Sequence, residues 1–90
     1  MSSVRVVISE RGKQLIVLDG FKYRFHKMLK NDAKRWICCA QTKEKCKAFL
    51  KTDNIVTEIM DNHNHNELNE EVLNRQILSI KYFLPIPHSH

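Results

Sequence analysis

Arg35-Trp36-Ile37-Cys38-Cys39-Ala40 decides the fold, because it sets a tryptophan and two adjacent cysteines in a run that reads as a β-strand. Successive side chains on a strand leave opposite faces, so Trp36 and Cys38 share one side and Ile37 and Cys39 the other. One strand therefore offers a single ion only one of the two sulfurs. Cys38 is the expected ligand and Cys39 a buried or partly buried free thiol. Cys46 and the pair His63 and His65 follow downstream, and two sulfurs with two imidazoles are the Cys2His2 set that closes a tetrahedral structural zinc site. His63 and His65 stand two positions apart, so on an extended segment both rings leave one face and can share one ion. The thiolates neutralise the ion's charge. The spacing is unlike C-x2-C, and the bland alternative is two apolar cysteines and a polar turn at His63-Asn64-His65.

Upstream, the chain reads as strand, turn, strand. Val4 to Ile8 is β-branched, Ser9 to Lys13 supplies a turn, and Leu15 to Leu18 is apolar on both faces, as a central strand would be. Asp19-Gly20 is a hairpin signal, since a type I′ turn needs positive φ at both central residues. Phe21 to His26 then alternates strictly, placing Phe21, Tyr23 and Phe25 on a core face and Lys22, Arg24 and His26 on a cationic one. Met28 to Lys34 reads as a loop turning at Asn31-Asp32.

Downstream, Gln41 to Lys45 is a polar loop, Cys46 to Lys51 the returning strand, Asp53-Asn54 a tight turn and Ile55 to Met60 a further strand. The sum is an antiparallel meander of five or six strands. After His65 the composition shifts: Asn66 reads as an N-cap with acidic residues behind it, and Leu73, Ile77, Ile80 and Leu84 recur at helical spacing until Pro85 and Pro87. The sequence thus predicts a zinc-finger segment over 1–66 and a helical extension and tail over 67–90, ending in a frayed His88-Ser89-His90. That helix packs on its own sheet or else presents Leu73, Ile77, Ile80, Phe83 and Leu84 as a docking or oligomerisation face.

Ninety residues make one small domain, a size that often needs a metal as a staple. The longest apolar runs are too short to span a bilayer and no signal-peptide core follows Met1-Ser2-Ser3, so a soluble intracellular protein without membrane contact is expected. Reduced thiols in such a compartment favour metal over disulfides. Residues 1–66 carry 13 Lys and Arg against 7 Asp and Glu, whereas 67–90 carry 2 against 3, so the basic part coincides with the metal ligands. A basic surface suits nucleic acid or an acidic protein.

The ordered set Leu18, Phe21, Tyr23, Trp36-x-Cys38, Cys46 and His63-x-His65 resembles the FLYWCH zinc finger over about residues 4–66. The family's first aromatic is aliphatic here, Val6 or Val7. The resemblance implies that Cys38, Cys46, His63 and His65 bind one structural zinc ion, with Leu18, Phe21, Tyr23 and Trp36 as the core beside it. It implies a small, mostly β, zinc-stabilised antiparallel sheet similar to the WRKY and GCM domains, in a nuclear setting. With Ser9-x-Arg11-Gly12 before Leu18, the chain also looks like the splice-variable C-terminal FLYWCH segments of insect BTB-type chromatin and insulator proteins. On that resemblance it is a fragment whose oligomerising domain lies elsewhere.

Four good ligands fill the metal's shell, and no P-loop, dinucleotide fingerprint or serine-nucleophile motif is present, so an enzyme is not expected. The favoured function is recruitment of a chromatin-associated protein partner in transcription regulation, with the segment after Glu67 supplying specificity. The alternative is DNA contact through the sheet's basic face, Lys22, Arg24 and His26, flanked by Lys43, Lys45 and Lys47. Lysine-rich alternation suits phosphates better than base edges, and the WRKY heptapeptide is missing.

Overall fold

A computed structural model describes residues 2–87; the tail His88-Ser89-His90, expected to be frayed, lies outside them. Seven strands form one antiparallel sheet: β1 (Ser2–Ser9), β2 (Gln14–Leu18), β3 (Phe21–Met28), β4 (Lys34–Cys38), β5 (Phe49–Thr52), β6 (Val56–Met60) and β7 (Ile77–Ile86). A single turn, α1 (Gln41–Glu44), joins β4 to β5, and a short helix, α2 (Glu70–Arg75), precedes β7. The spatial order β6-β5-β4-β3-β2-β1-β7 is a six-strand meander with β7 added beside β1.

The turns obey their residue chemistry. Asp19 and Gly20 both have positive φ, 53° and 83°, as the I′ hairpin between β2 and β3 requires. Gly20 also allows a close approach: a Cβ there would stand 2.9 Å from the Cβ of Glu67, whose neighbour Leu68 donates its amide to the Gly20 carbonyl. The hairpin thereby anchors the segment that leads to α2. Asn31 and Asp32 take left-handed φ in the predicted turn before β4.

Alternation along the strands builds two cores. The inner face buries Val4, Val6, Ile16, Tyr23, Trp36, Cys38, Leu50 and Leu84, with Leu18, Phe21, Ile59 and Ile86 packed against them. Of the two aliphatic residues expected where the resemblance has an aromatic, Val6 lies in this cluster and Val7 on the opposite face. Ile59 lies on β6 and Ile86 on β7, so the sheet curls until both edges pack on one cluster. The Trp36 indole donates to the buried Thr52 hydroxyl at 2.9 Å, so the largest core side chain has its polar handle satisfied. The outer face of β1 and β2 holds the second core, Val7, Leu15 and Val17, and Leu73 of α2 covers it. Burying that leucine contributes about 1.5–3 kcal/mol.

The expected helix from Asn66 to Leu84 is corrected. Only Glu70–Arg75 is helical, and the cap is Asn69, whose side chain accepts from the Glu71 amide at 2.8 Å. From Ile77 the chain is β7, paired with β1 from Ser9↔Ile77 to Ser2↔Ile86. The run Ile77-Leu78-Ser79-Ile80-Lys81-Tyr82-Phe83 is rich in residues that suit a pleated surface, and β1 offers it an edge. Pro85 sits opposite Ser3 on this edge strand, where its missing N–H is tolerated. The proposed helical docking or oligomerisation face therefore does not form: Leu73 and Leu84 are core residues, and Ile77 is half-buried.

Candidate metal centre

Four side chains converge at the end of the sheet where β3 begins and β4 ends. Cys38 closes β4, and its amide donates to the Ala48 carbonyl at 3.0 Å. The α1 turn and a left-handed Lys45 (φ 55°) swing the chain back, so Cys46 lies in the connection before β5 and not on the strand. His63 and His65 stand in the loop after β6, and the Asn64 amide side chain between them donates to the Glu44 carbonyl at 2.7 Å. That bond pins the histidine loop to the turn that delivers Cys46.

The donor atoms of Cys38, Cys46, His63 and His65 all lie within 4.8 Å of one another. His63 Nδ1 is 3.3 Å from Cys46 Sγ and 3.7 Å from Cys38 Sγ, and His65 Nε2 is 3.3 Å from Cys38 Sγ. A sulfur and a nitrogen bound tetrahedrally to one zinc at its usual bond lengths stand about 3.6 Å apart. The spacing therefore fits one zinc ion. Both sulfurs are buried and both imidazoles half-buried.

Electrostatics point the same way. Burial pushes the Cys38 thiol up to about 11, with the nearby Cys46 adding to the effect, and burial pulls His63 down, with His65 adding to it. Left to themselves these groups favour their uncharged forms. A bound zinc ion supplies the positive charge that stabilises thiolates and ties the histidine loop to the β4–β5 connection. Four protein donors around one ion are the arrangement of a structural zinc site.

The aromatic residues frame this cluster. Tyr23 and Trp36 are buried, and Leu18 and Phe21 pack against the same core. The sequence did not reveal that Phe21 stacks on the His63 ring at 3.5 Å or that the Tyr23 hydroxyl lies 2.7 Å from His63 Nε2. Cys39 faces away, as the strand parity requires: it packs against the outer core, its amide donates to the Lys22 carbonyl at 2.9 Å, and burial raises its thiol pKa.

The expected basic stripe is rearranged. Lys22 is held by Gln76 at the end of α2, and Arg24 is exposed on the outer face. His26 is the extra residue of a bulge between Phe25 and Lys27, which breaks the alternation. Lys27 takes the outer position, opposite Arg35, which lies opposite Lys51. Three strands thus carry a lateral row of cations that the sequence did not show. Lys43, Lys45 and Lys47 are exposed on α1 and the connection after it, apart from the strands that carry this row.

A curled antiparallel sheet stapled at one end by a Cys2His2 cluster defines the class of small zinc-binding β modules. Within that class, the model of the FLYWCH zinc finger domain matches residues 6–65, and the chain belongs to this family. No curated protein and no solved structure matches it. Among the described residues no helix is long and apolar enough to cross a membrane.

Proposed function

We propose that this FLYWCH domain is a non-catalytic nuclear module that recruits a protein partner in chromatin organisation and transcription regulation. The observation that carries the reading is the exposure of Ile80 (48%) and Phe83 (56%) on β7. A bulge at Lys81 changes the strand's parity, so both side chains lie on the outer face, opposite Val7 and Arg5 respectively. Large apolar groups held out on a rigid strand are what a partner's pocket takes up. Two bulges, Lys81 and Pro85 all discourage pairing at the β7 edge, so recognition falls to these side chains and not to backbone addition.

The cation row favours a second reading, contact with DNA phosphates. Lys27, Arg35 and Lys51 stand opposite one another, an arrangement that costs stability unless an anion offsets it. Arg35 lies over the Phe49 ring at 4.5 Å, its Nε has no hydrogen-bond partner among the described residues, and only Lys51 is paired, with Glu58 at 3.1 Å.

Affinity capture from nuclear extract separates the two readings. The zinc-loaded wild type and an Arg35→Ala/Lys51→Ala variant are expected to retain the same specific protein, and an Ile80→Lys/Phe83→Lys variant to lose it while keeping its circular dichroism spectrum. Retention by the Ile80→Lys/Phe83→Lys variant, with a DNA gel shift abolished by Arg35→Ala/Lys51→Ala, would transfer the function to the cation row.

A further inference from the structure

The two histidines of the metal cluster present different nitrogens to the sulfurs. His63 turns Nδ1 toward Cys46 and Cys38, whereas His65 turns Nε2 toward Cys38. In each ring the other nitrogen meets a polar atom. His65 Nδ1 lies 3.1 Å from the Asn66 carbonyl oxygen, and His63 Nε2 lies 2.7 Å from the Tyr23 hydroxyl. A neutral imidazole that ligates through one nitrogen carries its proton on the other and donates it outward. The Asn66 carbonyl can only accept, which selects Nε2 ligation for His65. Tyr23 must do the same for His63, because its phenolic oxygen is the group facing Nε2.

Geometry makes this contact more than a neighbourly one. Tyr23 is fully buried on β3 between Ile16 and Cys38, so its oxygen is held in place by the sheet register itself. Phe21, two residues earlier on the same face, lies parallel to the His63 ring, with 4° between the planes and 3.5 Å between centroids. A half-turn flip of the ring would keep it parallel to Phe21 but lose the Tyr23 contact.

We propose that Tyr23, with Phe21 holding the ring plane, is the positioning residue that makes His63 an Nδ1 ligand, its phenolic oxygen accepting the Nε2–H. The β3 strand therefore sets the coordination chemistry of a loop 40 residues away in sequence. Tyr23→Phe keeps the ring and the core volume and removes only the acceptor, leaving the Nε2–H without its partner.

The test pairs zinc affinity with the protonation pattern of the rings. Chelator competition on the full chain should show Tyr23→Phe binding zinc about 10–100-fold more weakly, the usual cost of losing an outer partner of a ligating histidine. Long-range proton–nitrogen NMR of the zinc-loaded wild type should show His63 metal-bound at Nδ1, with an Nε2–H slow to exchange, and His65 bound at Nε2. In Tyr23→Phe the His63 Nε2–H should exchange quickly. An unchanged affinity, or weaker binding with the Nε2–H still protected, would reduce Tyr23 to a packing residue and overturn the proposal. Should the variant fail to fold, the wild-type spectrum decides alone: His63 bound through Nε2 contradicts the assignment.

Discussion

On the inner face of the sheet, Tyr23, Trp36 and Leu50 pack in the core that holds the Cys2His2 cluster, whereas on the outer face Val7, Leu15 and Val17 are covered by Leu73 of a six-residue helix, with Cys39, Leu68 and Ile77 packed against them. The inner region joins segments far apart in sequence, β3, β4, the turn before β5 and the histidine loop, at a donor cluster whose thiol–imidazole contacts of 3.3 to 3.7 Å are weak beside zinc ligation. The outer region is closed by apolar burial together with ordinary hydrogen bonds, among them the Leu68 amide to the Gly20 carbonyl and Lys22 to Gln76. A chain of this size thus spends its chemistry on one end of one face and leaves the rest of the other open. The open part, β3 to β5 and the exposed side chains of β7, is the surface on which both proposed readings of the function rest.

The comparison breaks most severely at the metal end. Cys46→Ala removes one of four donors, and since structural zinc contributes about 10–16 kcal/mol in comparable small domains, the variant is expected to lose its sheet signal in circular dichroism even with zinc in excess. Leu73→Ala attacks the other face. It should lower stability by about 2–5 kcal/mol in denaturant titration while one zinc is still bound, because the cavity opens away from the cluster. Asn69→Ala should matter least. Losing the N-cap of α2 costs about 1 kcal/mol, read as a small shift in the same titration with no change in zinc stoichiometry. Equal losses from Leu73→Ala and Cys46→Ala would show that the two faces are not held by different means.

Local signals made much of this legible. Asp19-Gly20 announces its hairpin, Phe21-Lys22-Tyr23-Arg24 its faces, and the parity of Trp36 and Cys38 selects the sulfur that joins the cluster, whereas Phe25, expected in the core, is exposed beside the bulge at His26. The C-terminal strand was not legible, because Leu73, Ile77, Ile80 and Leu84 satisfy a helical period while the partner that turns the run into a strand is β1, at the other end of the chain. Bulges hid the surfaces as well. One inserted residue at His26 moves Lys27 to the outer face, and another at Lys81 brings Ile80 and Phe83 together, and no alternation rule foresees an insertion. The Tyr23–His63 contact depends on a loop meeting a strand, which spacing alone cannot express.

Zinc stoichiometry with and without fold tests the central claim most directly. Elemental analysis of the purified chain, followed by circular dichroism before and after a strong chelator, should find one zinc per chain and a sheet spectrum that collapses when the ion is withdrawn and returns when it is restored. A metal-free chain with the same spectrum would contradict the account, since Cys38, Cys46, His63 and His65 would then be packing residues and the staple that joins the histidine loop to the sheet would have to be something else.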